Sequence, residues 1–158
     1  MIRIGKMTDY GIVLLSFFAR GDEPQVFNAR ELAAQSQLPL PTVSKILKAL
    51  SRGELLESQR GVSGGYRLAR SADNISVAEI ISVLEGPIAM TECSDVGHGN
   101  CDLETHCPIR GNWRKINIVV RKALEGLTLS DMTRPLPSRP VGSANYDRNL
   151  AMIAGNTP

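Results

Sequence analysis

Apolar positions near the start of the chain recur at helical spacing. Tyr10, Val13, Leu14, Phe17 and Phe18 fall on one face of a helix that Thr8 can cap and that runs to about Ala19. Gly21-Asp22-Glu23-Pro24 breaks it. Asn28 and Glu31 then form a capping-box pattern ahead of Leu32, Ala33 and Ala34, which predicts a short second helix ending near Gln35. Ser36–Leu40 reads as a turn. A third helix is expected from Pro41, whose missing N–H costs nothing in the first turn, to about Arg52. Val43, Ile46, Leu47 and Leu50 fall on one face of it, and Ser44, Lys45, Lys48 and Arg52 on the other.

The period then changes. Leu55–Arg60 and Tyr66–Ala69 flank the Gly-rich stretch Gly61-Val62-Ser63-Gly64-Gly65, which predicts a β-hairpin. Ser76 and Glu79 open another capping box, with Val77, Ile80, Ile81 and Leu84 as its buried stripe and Gly86-Pro87 as its end. Residues 88–107 show little periodicity and read as a loop. Pro108 opens a long helix to about Leu124, along which Ile109, Trp113, Ile116, Val120 and Leu124 recur like a coiled-coil seam. Thr128–Met132 suits one further turn, and from Thr133 onward Pro, Ser, Asn and Gly predict a disordered tail. The expected fold class is mainly α with a small β-hairpin. The expected units are 1–86, 87–107, 108–132 and a tail over 133–158.

Composition refines this picture. The 42% hydrophobic content allows a real core, while 4% aromatics makes that core aliphatic. Charge is unevenly spread. Residues 1–70 hold ten Lys or Arg against six Asp or Glu, a balance of +4, and residues 71–158 hold eight against ten, a balance of −2. The first half is therefore the better candidate for meeting a polyanion. The apolar run Gly11–Ala19 is too short to span a bilayer and no cleavage site follows it, so a cytoplasmic protein without membrane contact is expected.

Two short helices, a tight turn and a second helix that is basic outward and apolar inward fit a helix-turn-helix followed by a wing. Double-stranded operator DNA is the expected partner. Pro41, Thr42, Ser44 and Lys45 would reach base edges, and Lys48 and Arg52 would neutralise phosphates. Arg60 and Arg67 flank the hairpin turn, where arginine can enter the minor groove. The plainer alternative is an amphipathic helix with a solvated basic face beside an unrelated hairpin.

All three cysteines lie within fifteen residues, as Cys93-x7-Cys101-x5-Cys107. In a reducing compartment such a cluster reads as metal or redox chemistry, not as a disulfide frame. Iron–sulfur clusters are held mainly by thiolates. Zinc could add His98 or His106, the only histidines, but structural zinc favours ligand pairs two to four residues apart, and these gaps are wider. Glu92, Asp95, Asp102 and Glu104 disfavour a free thiolate, a cost that a bound metal would offset. Three free thiols, or a disulfide switch, are the simpler readings. No nucleophile–base set, phosphate loop or dinucleotide fingerprint is present, so neither an enzyme nor a small-molecule substrate is expected.

Taken together, Met7-Thr8-Asp9-Tyr10, Ala29-Arg30-Glu31-Leu32-Ala33, Pro41-Thr42-Val43-Ser44-Lys45 and Arg60-Gly61-Val62-Ser63-Gly64-Gly65-Tyr66 resemble the winged-helix iron–sulfur transcription regulators of the IscR/NsrR type. The cysteine loop and the helix containing Trp113 extend the resemblance to about residue 132. Ser76–Pro87 and Leu103-Glu104-Thr105-His106-Cys107-Pro108 look closest to the branch that regulates SUF cluster-assembly genes. The resemblance implies a homodimeric repressor, with Ile109, Trp113, Ile116, Val120 and Leu124 at the dimer seam and Arg30 joining the DNA contacts. It implies a cluster on Cys93, Cys101 and Cys107, 2Fe–2S rather than 4Fe–4S. IscR-like members place a histidine three residues after the last cysteine. Here that position is Arg110, whose guanidinium has no free lone pair. NsrR-like members use an aspartate near the N-terminus, supplied by the partner subunit, and Asp9 matches it, ahead of His106 or His98 as fourth ligand. Asp9 also suits the first turn of a helix on dipole grounds alone. Ser44 stands where IscR-like members read bases with a glutamate, so a different operator is expected. Nitric-oxide or redox sensing at detoxification genes is the rival reading.

Overall fold

A computed structural model describes residues 3–21, 24–61, 64–92, 101 and 106–134. Cys93, His98, part of the wing turn and the predicted tail beyond Arg134 lie outside the described residues. The elements run α1 Lys6–Phe18, α2 Ala29–Ser36, α3 Leu40–Arg52, β1 Leu56–Gln59, β2 Gly65–Leu68, a short 3₁₀ turn Ala72–Asn74, α4 Val77–Glu85, α5 Arg110–Glu125 and α6 Leu129–Thr133. The fold is thus mainly helical with one antiparallel hairpin.

The capping boxes form as the spacing predicts. The Asn28 side chain accepts from the Arg30 and Glu31 N–H groups at 2.9 and 3.0 Å, and Glu31 accepts in return from the Asn28 N–H at 2.8 Å. Ser76 and Glu79 do the same for α4. A further box that the sequence reading does not include, Thr128 with Asp131, opens α6. Burial raises the Glu79 pKa, but hydrogen bonds from Ser76 and the charge of Arg70 outweigh it and hold the carboxyl below the ordinary range. That cap therefore contributes above the ordinary carboxylate range and is lost as pH falls through the lowered value.

The start of α1 differs from expectation. Gly5, not Thr8, is the N-cap, and it makes no side-chain cap bond. Gly5 lies beside the Glu85 carboxylate of α4, and the Asp9 N–H donates to the Gly5 carbonyl at 3.1 Å, which opens the helix one turn before the sequence suggests. Thr8 lies one turn inside, fully buried, and its hydroxyl has no hydrogen-bond partner among the described residues. A buried hydroxyl without a partner is costly, and Val has the same shape without it. Thr8→Val should therefore stabilise the fold by about 1 kcal/mol, read as a rise in the urea midpoint. A lower midpoint would mean that the hydroxyl is satisfied.

The core is aliphatic, as the composition demands. Leu14, Leu15, Leu32, Val43, Ile46, Leu47, Leu50, Leu55, Leu56, Ile75, Ile80 and Leu129 are all essentially without solvent contact. Each such side chain contributes roughly 1.5–3 kcal/mol of burial. Phe18 closes one side, edge-on to Phe27 at 5.4 Å between ring centroids. Leu84, expected in the α4 stripe, is half-buried and packs against this core. Two isolated bridges join distant parts of the chain. Phe27 pairs with Tyr66, and Ser76 pairs with Thr128, so α4 and α6 start side by side.

Candidate nucleic-acid interface and cysteine site

The α2–α3 unit is built by local rules. Gln37 ends α2 in the left-handed region (φ 56°), Pro39 precedes α3, and Pro41 sits in its first turn. Only Gln37, Leu38 and Pro39 separate the two helices. All four apolar residues of the predicted α3 stripe are fully buried. The helix is thereby held in one rotation, with Pro41, Lys45, Lys48 and Arg52 exposed and Thr42 and Ser44 half-buried. Arg30 is exposed on α2.

The hairpin is fixed to the end of α3. The Leu55 N–H donates to the Leu50 carbonyl at 2.9 Å, and the strands pair Leu56 with Leu68 through Gln59 with Gly65. Arg60 is exposed at the turn. Arg67 lies differently. Its Nε and NH2 both donate to one Glu57 carboxylate oxygen, at 2.9 and 2.7 Å, across the strands. Nothing in the order of residues marks Glu57, ten positions away, as the counter-charge of Arg67.

Gly65 is needed for the seat of the wing. A Cβ there would stand 2.7 Å from the Phe27 carbonyl oxygen, and backbone cannot yield as a flexible side chain can. Gly65→Ala should break the Phe27–Tyr66 pairing and cost about 1–3 kcal/mol, measured by chemical denaturation. An unchanged midpoint would show that the pairing contributes nothing.

The cysteine segment leaves α4 through Gly86 and returns to α5. Cys101 and Cys107 are half-buried, and among the described residues neither is in a disulfide. The Arg110 N–H donates to the Cys107 carbonyl at 3.4 Å, just as α5 begins, two residues later than the Pro108 start that the sequence suggests. On the other side, the Met90 N–H donates to Asn117 Oδ1 at 3.1 Å. Among the described residues, no three His, Cys, Asp or Glu side chains stand together as a metal site. One chain therefore does not bring Asp9 to Cys101 and Cys107. Asp9 is exposed in the first turn of α1, in an open groove with Ile4, Ile12, Val13, Ser16 and Met132. His106 is exposed.

Helix α5 has no buried residue. Trp113, Asn117, Val120 and Leu124 are half-buried, and this sheltered row takes the Met90 contact. Ile109 and Ile116 of the expected seam are 51% and 44% exposed, and Val119, which the seam did not include, is 66% exposed. No helix among the described residues is long and apolar enough to cross a membrane.

The sequence profile of the Rrf2 family, described as an iron-dependent transcriptional regulator, matches residues 4–135. The chain belongs to the Rrf2 family. As an Rrf2 protein it is a transcription regulator and not an enzyme, and the resemblance to IscR/NsrR-like regulators holds. It is similar to Protein aau3 of Rhizobium meliloti, with 31% identity over 86% of this chain and 88% of that protein. It is also similar to the HTH-type transcriptional regulator NsrR of Oceanobacillus iheyensis, with 29% identity over 84% of this chain and 90% of the relative. Among solved structures it matches CymR, the global cysteine regulator of B. subtilis, at a TM-score of 0.62 and 27% identity, covering 84% of this chain and 97% of that one. The Rrf2 fold accounts for the helix-turn-helix, the wing and the long α5 together.

Proposed function

We propose that this chain is a homodimeric, cytoplasmic repressor of SUF-type iron–sulfur assembly genes whose affinity for operator DNA depends on a cluster held by Cys93, Cys101 and Cys107. The observation that carries the reading is the half-buried thiols of Cys101 and Cys107, neither in a disulfide among the described residues and Cys107 just before α5, in a family described as iron-dependent. The donor set fits the group, since clustered thiolates are what iron–sulfur centres take. When bound, such a cluster supplies a centre whose loss or change reports iron, oxygen or nitric oxide. The preferred form is 2Fe–2S.

The chain's own residues divide the remaining work. Pro41, Thr42, Ser44 and Lys45 present themselves to base edges in the major groove, with Lys48 and Arg52 on phosphates. Arg60 and Arg67 serve the wing, and Arg30 adds charge on α2. Asp9 of the partner subunit would complete the ligand set, as in the NsrR-like members this chain resembles; it is exposed, and among the described residues it does not join Cys101 and Cys107 in one group. That arrangement requires a dimer. The face of α5 open to a second copy carries Ile109, Asn112, Ile116, Val119 and Ala123, a three-and-four alternation, with Trp113, Val120 and Leu124 along its flank.

Protein prepared without oxygen should be coloured and hold iron and acid-labile sulfide in equal amounts, and Cys107→Ala should hold neither. Colourless wild-type protein with bound zinc would contradict the reading. The similarity to NsrR, together with an aspartate at position 9, supports nitric-oxide control of detoxification genes as the second reading. Promoters that respond to nitric oxide would separate the two.

A further inference from the structure

The three cysteines lie between two anchors on one helix. Cys107 is three residues from the first residue of α5, and Met90 is three residues before Cys93. The Met90 N–H is held by the side chain of Asn117, half-way along α5 and half-buried. Seven residues of helix separate Arg110 from Asn117, about 10 Å along the axis. Met90 is thus the described anchor point that precedes the cysteine segment in sequence. Among the described residues, the Asn117 side chain joins α5 to this backbone group 27 positions away in sequence.

We propose that Asn117 is a latch: it ties the cysteine segment to α5, so that the state of the thiols is felt by the dimer helix and by α4, which packs between α5 and the recognition helix α3. Asn117 is a positioning residue, not a ligand. The idea rests on the cluster reading for its consequence, though not for the latch itself.

The test compares Asn117→Leu and Asn117→Ala, which remove the acceptor, with Asn117→Asp, which keeps an oxygen at the same reach. In cluster-free protein, amide hydrogen exchange at Met90 should quicken about three- to tenfold in the Leu and Ala variants, the range for losing one ordinary hydrogen bond. Exchange in α3 should not change, and Asn117→Asp should behave as wild type. In cluster-loaded protein, loss of the visible absorption under a chelator should quicken by a similar factor, and the difference in operator affinity between loaded and cluster-free forms should shrink. Unchanged Met90 exchange in both apolar variants overturns the latch, whatever the cofactor. Faster exchange with unchanged cluster loss and unchanged affinity difference overturns its coupling role. Wild-type protein that takes up no iron overturns the cluster reading, and the exchange comparison still decides the latch.

Discussion

Replacing Lys45, Lys48 and Arg60 together by glutamine should weaken operator binding at least about a hundredfold at physiological salt and flatten its salt dependence. The three cations are exposed; Lys45 and Lys48 project from α3, and Arg60 directly follows β1. The buried row Val43, Ile46, Leu47 and Leu50 sets the rotation of α3, and the hydrogen bond from Leu55 to Leu50 sets the position of the hairpin. A dimer loses six charges in this variant. At about 0.9 released counterions per phosphate contact, the log–log slope should fall by roughly five if all six meet phosphate. Arg67 should behave differently. Glu57 already supplies its counter-charge, so Arg67→Gln should cost less than Arg60→Gln, and Glu57→Gln should tighten binding by freeing the guanidinium. Binding titrations across a salt series check all of these. Equal salt slopes for wild type and the triple variant would remove α3 and the wing from the interface.

Ile116→Asp with Val119→Asp should convert the dimer to monomers and lower operator affinity by at least about a thousandfold, since each half-site alone offers half the contacts. Both side chains are exposed in one chain, at 44% and 66%, so the fold should survive. At a two-fold seam each carboxylate would appear twice among apolar neighbours, and burying unpaired charge costs several kcal/mol. Ile118 is an internal control. It is 52% exposed, but two positions from Ile116 it lies on nearly the opposite side of the helix. Ile118→Asp should leave the dimer intact. Sedimentation of the three proteins decides this, and a monomer produced by Ile118→Asp alone would move the seam to another face.

What the residues revealed in advance was local. The Asn28–Glu31 and Ser76–Glu79 boxes, the α3 stripe and the hairpin depend on side chains three or four apart or on a Gly-rich turn, and they were found in place. The start of α1 differs because Thr8 has the chemistry of a cap, whereas it lies inside the helix with its side chain fully buried and the backbone of Gly5 takes the cap position. The seam on α5 was ambiguous for a physical reason. Apolar residues at 109, 113, 116, 120 and 124 and those at 109, 116, 119 and 123 both keep helical spacing. Which row is sheltered depends on where α4 and residues 88–92 lie. Asn117 holding Met90, Phe27 pairing with Tyr66 and Glu57 holding Arg67 join residues 27, 39 and 10 apart, and no local pattern announces such contacts.

Operator affinity followed against cluster occupancy, anaerobically and at one salt concentration, probes most directly whether the thiols govern the recognition helix. Loaded and cluster-free protein should differ by about tenfold or more, within the usual span of coupling between two sites, and Cys101→Ala should match the cluster-free form under both conditions. Three equal affinities would leave an Rrf2 DNA binder whose cysteines do not regulate it.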